Sequence, residues 1–155
     1  MPNWLQILIP SVLGLATTVC AAYFSALWAT RRAFQQRWWE RKEKAYSEIV
    51  EALHDMIRYS ELRAEGYLNG RTDDHPKEDE FRENYDKAYW NILKVTDIGA
   101  FVISDKAAEA LMKLRKRPRL KWDENPPWEI YEEESKHYRD ALSTIRSCAR
   151  LDLQI

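Results

Sequence analysis

Glycine and cysteine are scarce in this chain. Its 155 residues include four glycines and two cysteines, and only Gly66, Gly70 and Gly99 lie beyond the first 30 positions. Three scattered glycines cannot build the glycine-rich turns that cradle phosphates in P-loop and dinucleotide-binding proteins. Two cysteines cannot form a disulfide framework, which is consistent with a reducing compartment. Nucleotide binding of those two kinds is therefore excluded.

Groups that could perform catalysis or hold a metal are also sparse. The three histidines, His54, His75 and His137, show no ligand spacing with one another, so we expect no metal site and no cofactor. His137 and Cys148 fall on one predicted helix, about 16 Å apart along its axis, which is too far for a base and its nucleophile. We therefore expect no enzyme activity, and we interpret the many carboxylates as solvated faces and turns.

No charged residue occurs before Arg31. The apolar segment from Trp4 to Thr30 exceeds the roughly 20 residues that cross a bilayer, and Trp4 and Trp28 are spaced to lie at opposite membrane interfaces. Nothing basic precedes the segment and it is too long for a cleaved signal peptide, so we expect it to be retained. The cations that follow it predict a single-pass protein of the bacterial inner membrane, with the N-terminus outside and the C-terminal domain in the cytosol.

Small residues recur along this predicted membrane helix. Gly14, Thr18, Ala22 and Ala26 follow an i, i+4 pattern that lets two helices approach closely. Such residues are also common in membrane helices that do not associate, and that alternative stays open. We interpret the stripe as the membrane-helix packing surface of a homo-oligomer.

The rest of the chain is highly charged and has helical periodicity. Apolar residues recur at helical spacing in successive segments, separated by turn formers at 69–77, by Gly99 and by Pro118. We predict an all-α protein with a transmembrane anchor at 1–31, whose helix continues into a cytosolic antiparallel bundle of about four helices at 32–155. The predicted core positions include Tyr46, Ile49, Leu53, Ile92, Leu111, Met112, Tyr138 and Ile145.

A dense run of cations follows the third predicted helix. The predicted ligand-binding residues are Lys113, Arg115, Lys116, Arg117, Arg119, Lys121 and Trp122. Cationic side chains can pair with phosphates, and an indole can stack on a base. The run can equally be a solvated helix end, in which the cations complement the helix dipole and bond the last carbonyls.

Three segments carry a resemblance to known proteins: QRWWERKEKAYSEIVEALHDM, DIGAFVISDKAAEAL and RSCARLDLQI. They resemble a group of small bacterial proteins that have an N-terminal membrane helix and an all-helical cytosolic part. In layout, the chain is also similar to small membrane effectors of antiphage systems, such as the cyclic-oligoadenylate-binding accessory membrane protein of type III CRISPR loci.

Two functional hypotheses follow. The first is a homo-oligomeric, membrane-anchored effector or sensor of bacterial antiviral defence, gated when the basic runs of several subunits converge on a cyclic oligonucleotide. The second is a non-enzymatic scaffold or adaptor that tethers a protein partner, encoded nearby, to the inner membrane. The expected partners are thus membrane lipid, further copies of the chain, and either a cyclic oligonucleotide second messenger or another protein.

Overall fold

The computed structural model describes the backbone of residues 3–70, 77–98 and 101–154, and the side chains of these residues from position 21 onward except that of Ile98. Four helices occupy these ranges: α1 Asn3–Leu68, α2 Glu78–Ile98, α3 Asp105–Lys116 and α4 Pro127–Leu153. The described residues contain no strand. The prediction of an all-helical fold with about four helices is confirmed.

The chain divides into two compact units, Met1–Glu40 and Arg41–Ile155. The first unit contains the N-terminal part of α1, and the second contains the rest of α1 together with α2, α3 and α4. The division of the chain into an anchor at 1–31 and a bundle at 32–155 stays a prediction.

The predicted membrane segment is only partly described. In the part of the chain that the structure describes, no helix is long and apolar enough to cross a bilayer. Residues 4–20, which include Gly14 and Thr18 of the predicted packing stripe, lie outside the described side chains. Ala22 and Ala26 are described, and both are exposed. The transmembrane helix and its packing stripe therefore stay predictions.

Turn chemistry explains where α1 ends. The last helical residue is Leu68, and Gly70 follows with φ of 67°, a left-handed conformation that glycine adopts without a Cβ clash. The amide of Gly70 donates to the carbonyl of Tyr67 at 3.3 Å. The predicted turn thus begins at its expected position, while residues 71–76 lie outside the described part of the chain.

A single apolar core joins the four helices within residues 41–155. Its members include the buried residues Ile49 and Leu53 of α1, Ile92 of α2, Leu111 of α3, and Tyr138 and Ile145 of α4. Helix α3 packs against both α2 and α4. The prediction that Met112 faces inward is wrong, because Met112 is 41% exposed. The inward face of α3 carries Ala107 instead, which keeps the spacing of three and four residues that one helical face requires.

One phenol hydroxyl ties three distant segments of the bundle together. Tyr46 of α1 is buried and donates a hydrogen bond to the carboxylate of Asp152 in α4. The backbone amide of Ser104 donates to the same phenol oxygen at 3.2 Å, and the two hydroxyl oxygens lie 3.1 Å apart. Burial, with the hydrogen bond to Asp152, raises the pKa of Tyr46, so its hydroxyl stays a donor. Ser104 occupies the N-cap of α3, but its side chain contacts Tyr46 instead of capping the helix.

Candidate ligand-binding groove

Pro118 determines how the chain leaves α3. A proline disfavours helical geometry at the residue before it, and Arg117 accordingly has φ of −57° and ψ of 143°. The helix therefore ends at Lys116, and the connection to α4 crosses the surface of the bundle. Helix α4 then begins at Pro127, where a missing backbone N–H is tolerated. The cations before and after Pro118 consequently do not share one helical face.

Arg117 is anchored in the bundle. Its side chain is 8% exposed, and its Nη1 donates to the carbonyl of Leu114 at 2.8 Å. Its Nη2 donates to the hydroxyl of Tyr138 at 3.0 Å and lies 3.5 Å from the carboxylate of Glu134. The guanidinium also lies over the Tyr138 ring, 4.8 Å from its centroid. These contacts fix the start of the segment 117–122 relative to α4.

Tyrosine rings from three helices meet beside this anchor. The ring of Tyr59 in α1 lies 4.8 Å from that of Tyr85 in α2 and 6.1 Å from that of Tyr131 in α4. The hydroxyl oxygens of Tyr85 and Tyr138 are 3.0 Å apart. Burial raises the pKa of Tyr59 to about 12, and burial also raises the pKa values of Tyr85 and Tyr138. The hydroxyls of Tyr59, Tyr85 and Tyr138 therefore keep their protons to higher pH than a free tyrosine.

A groove of about 380 Å³ opens between this cluster and the segment 117–122. We name it the aromatic–arginine groove, after the six lining residues Tyr59, Tyr85, Tyr131, Arg117, Arg119 and Trp122. Trp122 is 59% exposed and meets Tyr131 edge-on, with ring centroids 5.6 Å apart. Three carboxylates, those of Asp86, Glu133 and Glu134, also line the groove. Its walls thus combine rings with charges of both signs.

The predicted ligand-binding residues separate into two groups in the structure. Arg117, Arg119 and Trp122 come together in the aromatic–arginine groove. Lys113 instead lines a second cavity of about 480 Å³ between α3 and α4, and Arg117 contributes to that cavity as well. The sequence run is therefore not a single patch in space.

The remaining cations of the run lie at the surface, mostly in ion pairs. The pairs are Lys113 with Glu109 at 3.0 Å, Arg115 with Asp97 at 2.5 Å, and Lys121 with Glu124 at 2.5 Å, while Lys116 is exposed at the end of α3. Exposed pairs of this kind contribute about 0 to 1 kcal/mol and exchange readily with solvent ions. For these cations, the exposed ion pairs favour the interpretation as a solvated helix end over the interpretation as a ligand-binding site.

The sequence pattern did not predict that tyrosine rings line the groove. Helical periodicity marks Tyr85 and Tyr138 as inward-facing, which is correct, but it does not show that their hydroxyls meet. The available signal was the residue type, since a tyrosine at a core position brings a polar group that needs a partner.

Of the two described histidines, His137 lines the groove and His54 does not. A ring nitrogen of His54 is 2.8 Å from the guanidinium of Arg146, and a ring nitrogen of His137 is 3.2 Å from the carboxylate of Glu133. His75 lies outside the described part of the chain. Within the described residues, no three potential ligand side chains are grouped to hold a metal ion.

Comparisons of the chain with protein-family models, curated proteins and solved structures found no match. The resemblance to small bacterial membrane proteins therefore stays a prediction from the sequence.

Arg117 and Arg115 should differ sharply in their effect on stability. Arg117→Gln should lower the free energy of unfolding by about 1 to 3 kcal/mol, because the buried Tyr138 hydroxyl loses its charged donor. Arg115→Gln removes only an exposed pair and should change it by about 0.5 kcal/mol or less. Chemical unfolding of both full-length variants, followed by far-UV circular dichroism, measures the difference. Equal effects of the two substitutions would contradict the anchoring role of Arg117.

Tyr59 should make the bundle sensitive to alkaline pH. Its pKa is about 12 in the folded state and about 10 in an unfolded chain, so the folded state keeps a proton that the unfolded state loses. Its contribution to stability is complete below pH 10 and is lost between pH 10 and 12. Unfolding measured from pH 8 to pH 12 should therefore show a decline that is smaller in Tyr59→Phe. The same decline in both proteins would rule out this linkage.

Proposed function

We propose that this chain is a membrane-anchored helical sensor or effector of bacterial defence that self-associates and binds a cyclic oligonucleotide in the aromatic–arginine groove. The observation that carries the proposal is the meeting of Arg117, Arg119 and Trp122 with tyrosine rings around one space of about 380 Å³. Rings and guanidinium groups together suit a ligand that has both bases and phosphates.

Each lining group has a counterpart in such a ligand. Trp122 is exposed enough to stack on a base, and Arg119 can pair with a phosphate. The carboxylates of Glu133 and Asp86 can accept hydrogen bonds from the exocyclic amino group of adenine. The mixed charge of the groove disfavours a bare polyanion and favours a nucleotide unit. In a symmetric oligomer each subunit would hold one unit of the cyclic ligand.

Helix α1 contributes one wall of the groove. Tyr59 is a wall of the groove and belongs to α1, the helix that also contains the segment Trp4–Thr30. A ligand in the groove would therefore contact the part of α1 that belongs to the bundle. Such a ligand changes the arrangement of the oligomer only if it binds one arrangement more tightly than the other.

Membrane anchoring is supported by the uncharged segment Trp4–Thr30 and by the arginines that follow it. The full-length protein should stay with the membrane pellet after extraction with alkaline carbonate, whereas a variant lacking residues 4–30 should not. Protease added outside spheroplasts should leave the fragment from residue 41 onward intact. Recovery of the full-length protein in the carbonate supernatant would refute the anchor.

Cyclic oligonucleotide binding can be tested on the full-length protein in detergent. Calorimetric titration with cyclic oligoadenylates should show saturable binding that weakens at higher salt. Arg119→Gln and Trp122→Ala should each weaken it about tenfold, because they remove a charged hydrogen bond and a stacking surface. Arg115→Gln is the matched control, since Arg115 does not line the groove. Absence of saturable binding, or equal loss in the control, would reject this ligand.

An adaptor remains the second candidate function, and the exposed aromatic residues of the bundle favour it. Trp90 in α2 is 68% exposed and Phe101 is 82% exposed. Tryptophan is among the residues that most often dominate protein interfaces. The calorimetric titration separates the two functions, because an adaptor would bind no cyclic oligonucleotide. An adaptor would also lose its protein partner when Trp90 is replaced by alanine (Trp90→Ala).

A further inference from the structure

Helix α4 carries three arginines along one side. Arg139, Arg146 and Arg150 are spaced by seven and four residues, which places them within about 40° of one another around the helix axis. They surround a concavity of about 340 Å³ whose lining is Arg139, Leu142, Ser143, Arg146, Ser147 and Arg150. The lining itself includes no carboxylate, but Glu61 of α1 forms an ion pair with Arg139. The two sites share no residue.

Contacts with α1 orient two of these arginines. Arg139 donates a hydrogen bond to Glu61, and Nη2 of Arg146 lies 2.8 Å from Nε2 of His54. Because a guanidinium can only donate, Nε2 of His54 is the acceptor of this hydrogen bond. The positive charge of Arg146 is therefore oriented by His54 without being neutralised by it. Among the described residues, Arg150 has no ion-pair partner.

The floor of the concavity is short and polar. Ser143 and Ser147 lie between the arginines, and the Ser147 hydroxyl donates to the backbone carbonyl of Ser143 at 3.0 Å. Serine side chains are small, so an anion can reach the helix surface between the longer arginine arms. Arg146 and Arg150 are one helical turn apart, about 6 Å along the axis. A short chain of linked anionic groups can therefore contact both.

We infer that this concavity, which we name the α4 arginine site, binds the phosphate chain of a ligand with two or three linked phosphates. Guanidinium groups pair with phosphate oxygens through two parallel hydrogen bonds, and three of them match a multiply charged chain. The same chemistry is present in inorganic polyphosphate and in the tail of a nucleoside triphosphate. This inference is independent of the proposed function.

Inorganic tripolyphosphate is the direct probe. Calorimetric titration of the full-length protein in detergent should show saturable binding that weakens at higher salt. The double variant Arg146→Gln, Arg150→Gln should bind at least about tenfold more weakly. The control Lys106→Gln, Lys136→Gln removes the same charge from exposed positions outside the site and should bind normally. Far-UV circular dichroism establishes that each variant is folded.

A second set of measurements separates geometry from charge and one ligand source from the other. Arg146→Lys with Arg150→Lys keeps the charge but lacks the planar fork, so its affinity should fall between those of the wild type and the glutamine variant. In the Arg119→Gln variant, whose groove is impaired, ATP binding tighter than tripolyphosphate indicates a nucleotide, and weaker binding indicates free polyphosphate. Arg119→Gln should leave tripolyphosphate binding unchanged, which distinguishes this site from the groove. No saturable binding, or equal loss in the Lys106, Lys136 control, would overturn the inference.

Discussion

The hydrogen bond from Arg117 to the hydroxyl of Tyr138 connects the segment after α3 to the interior of the bundle. Burying a cation is costly unless its donors are satisfied. The carbonyl of Leu114 and the carboxylate of Glu134 accept the further hydrogen bonds of this guanidinium. Tyr138 in turn meets the hydroxyl of Tyr85 in α2. The positions of Arg119 and Trp122 depend on this chain of contacts, so the shape of the groove depends on the packing of the core.

Polar groups in this core also restrict what the groove can bind. Burial raises the pKa values of Tyr59 and Tyr85, so these two hydroxyls keep their protons to higher pH than a free tyrosine. The arginines of the groove are matched by carboxylates along the same walls. At the α4 arginine site, Arg139 pairs with Glu61, while Arg146 and Arg150 lie beside two serines. The bundle therefore presents two arginine-lined surfaces of different composition, one with aromatic rings and carboxylates and one with serines.

The helices were predictable because local chemistry determines them. The loop after Leu68, the end of α3 before Pro118 and the inward face with Leu53 and Ile145 all follow from turn formers and periodicity. The arrangement of the cationic run was not predictable in the same way. Arg115 pairs with Asp97 of another helix, and Arg117 enters the core, because the rotation of each helix depends on packing between distant residues. The exposure of Met112 has the same origin.

The bond between Tyr46 and Asp152 has a consequence for how the protein is made. These residues are 106 positions apart, so their contact closes a loop that includes α2, α3 and most of α4. Long-range contacts of this kind slow folding, because the intervening chain loses conformational entropy before the contact forms and stabilises the fold. During synthesis, residue 152 leaves the ribosome long after residues 4–30 have emerged. The bond between Tyr46 and Asp152 therefore forms only after α2 and α3 have been synthesised, whereas the N-terminal segment is available much earlier.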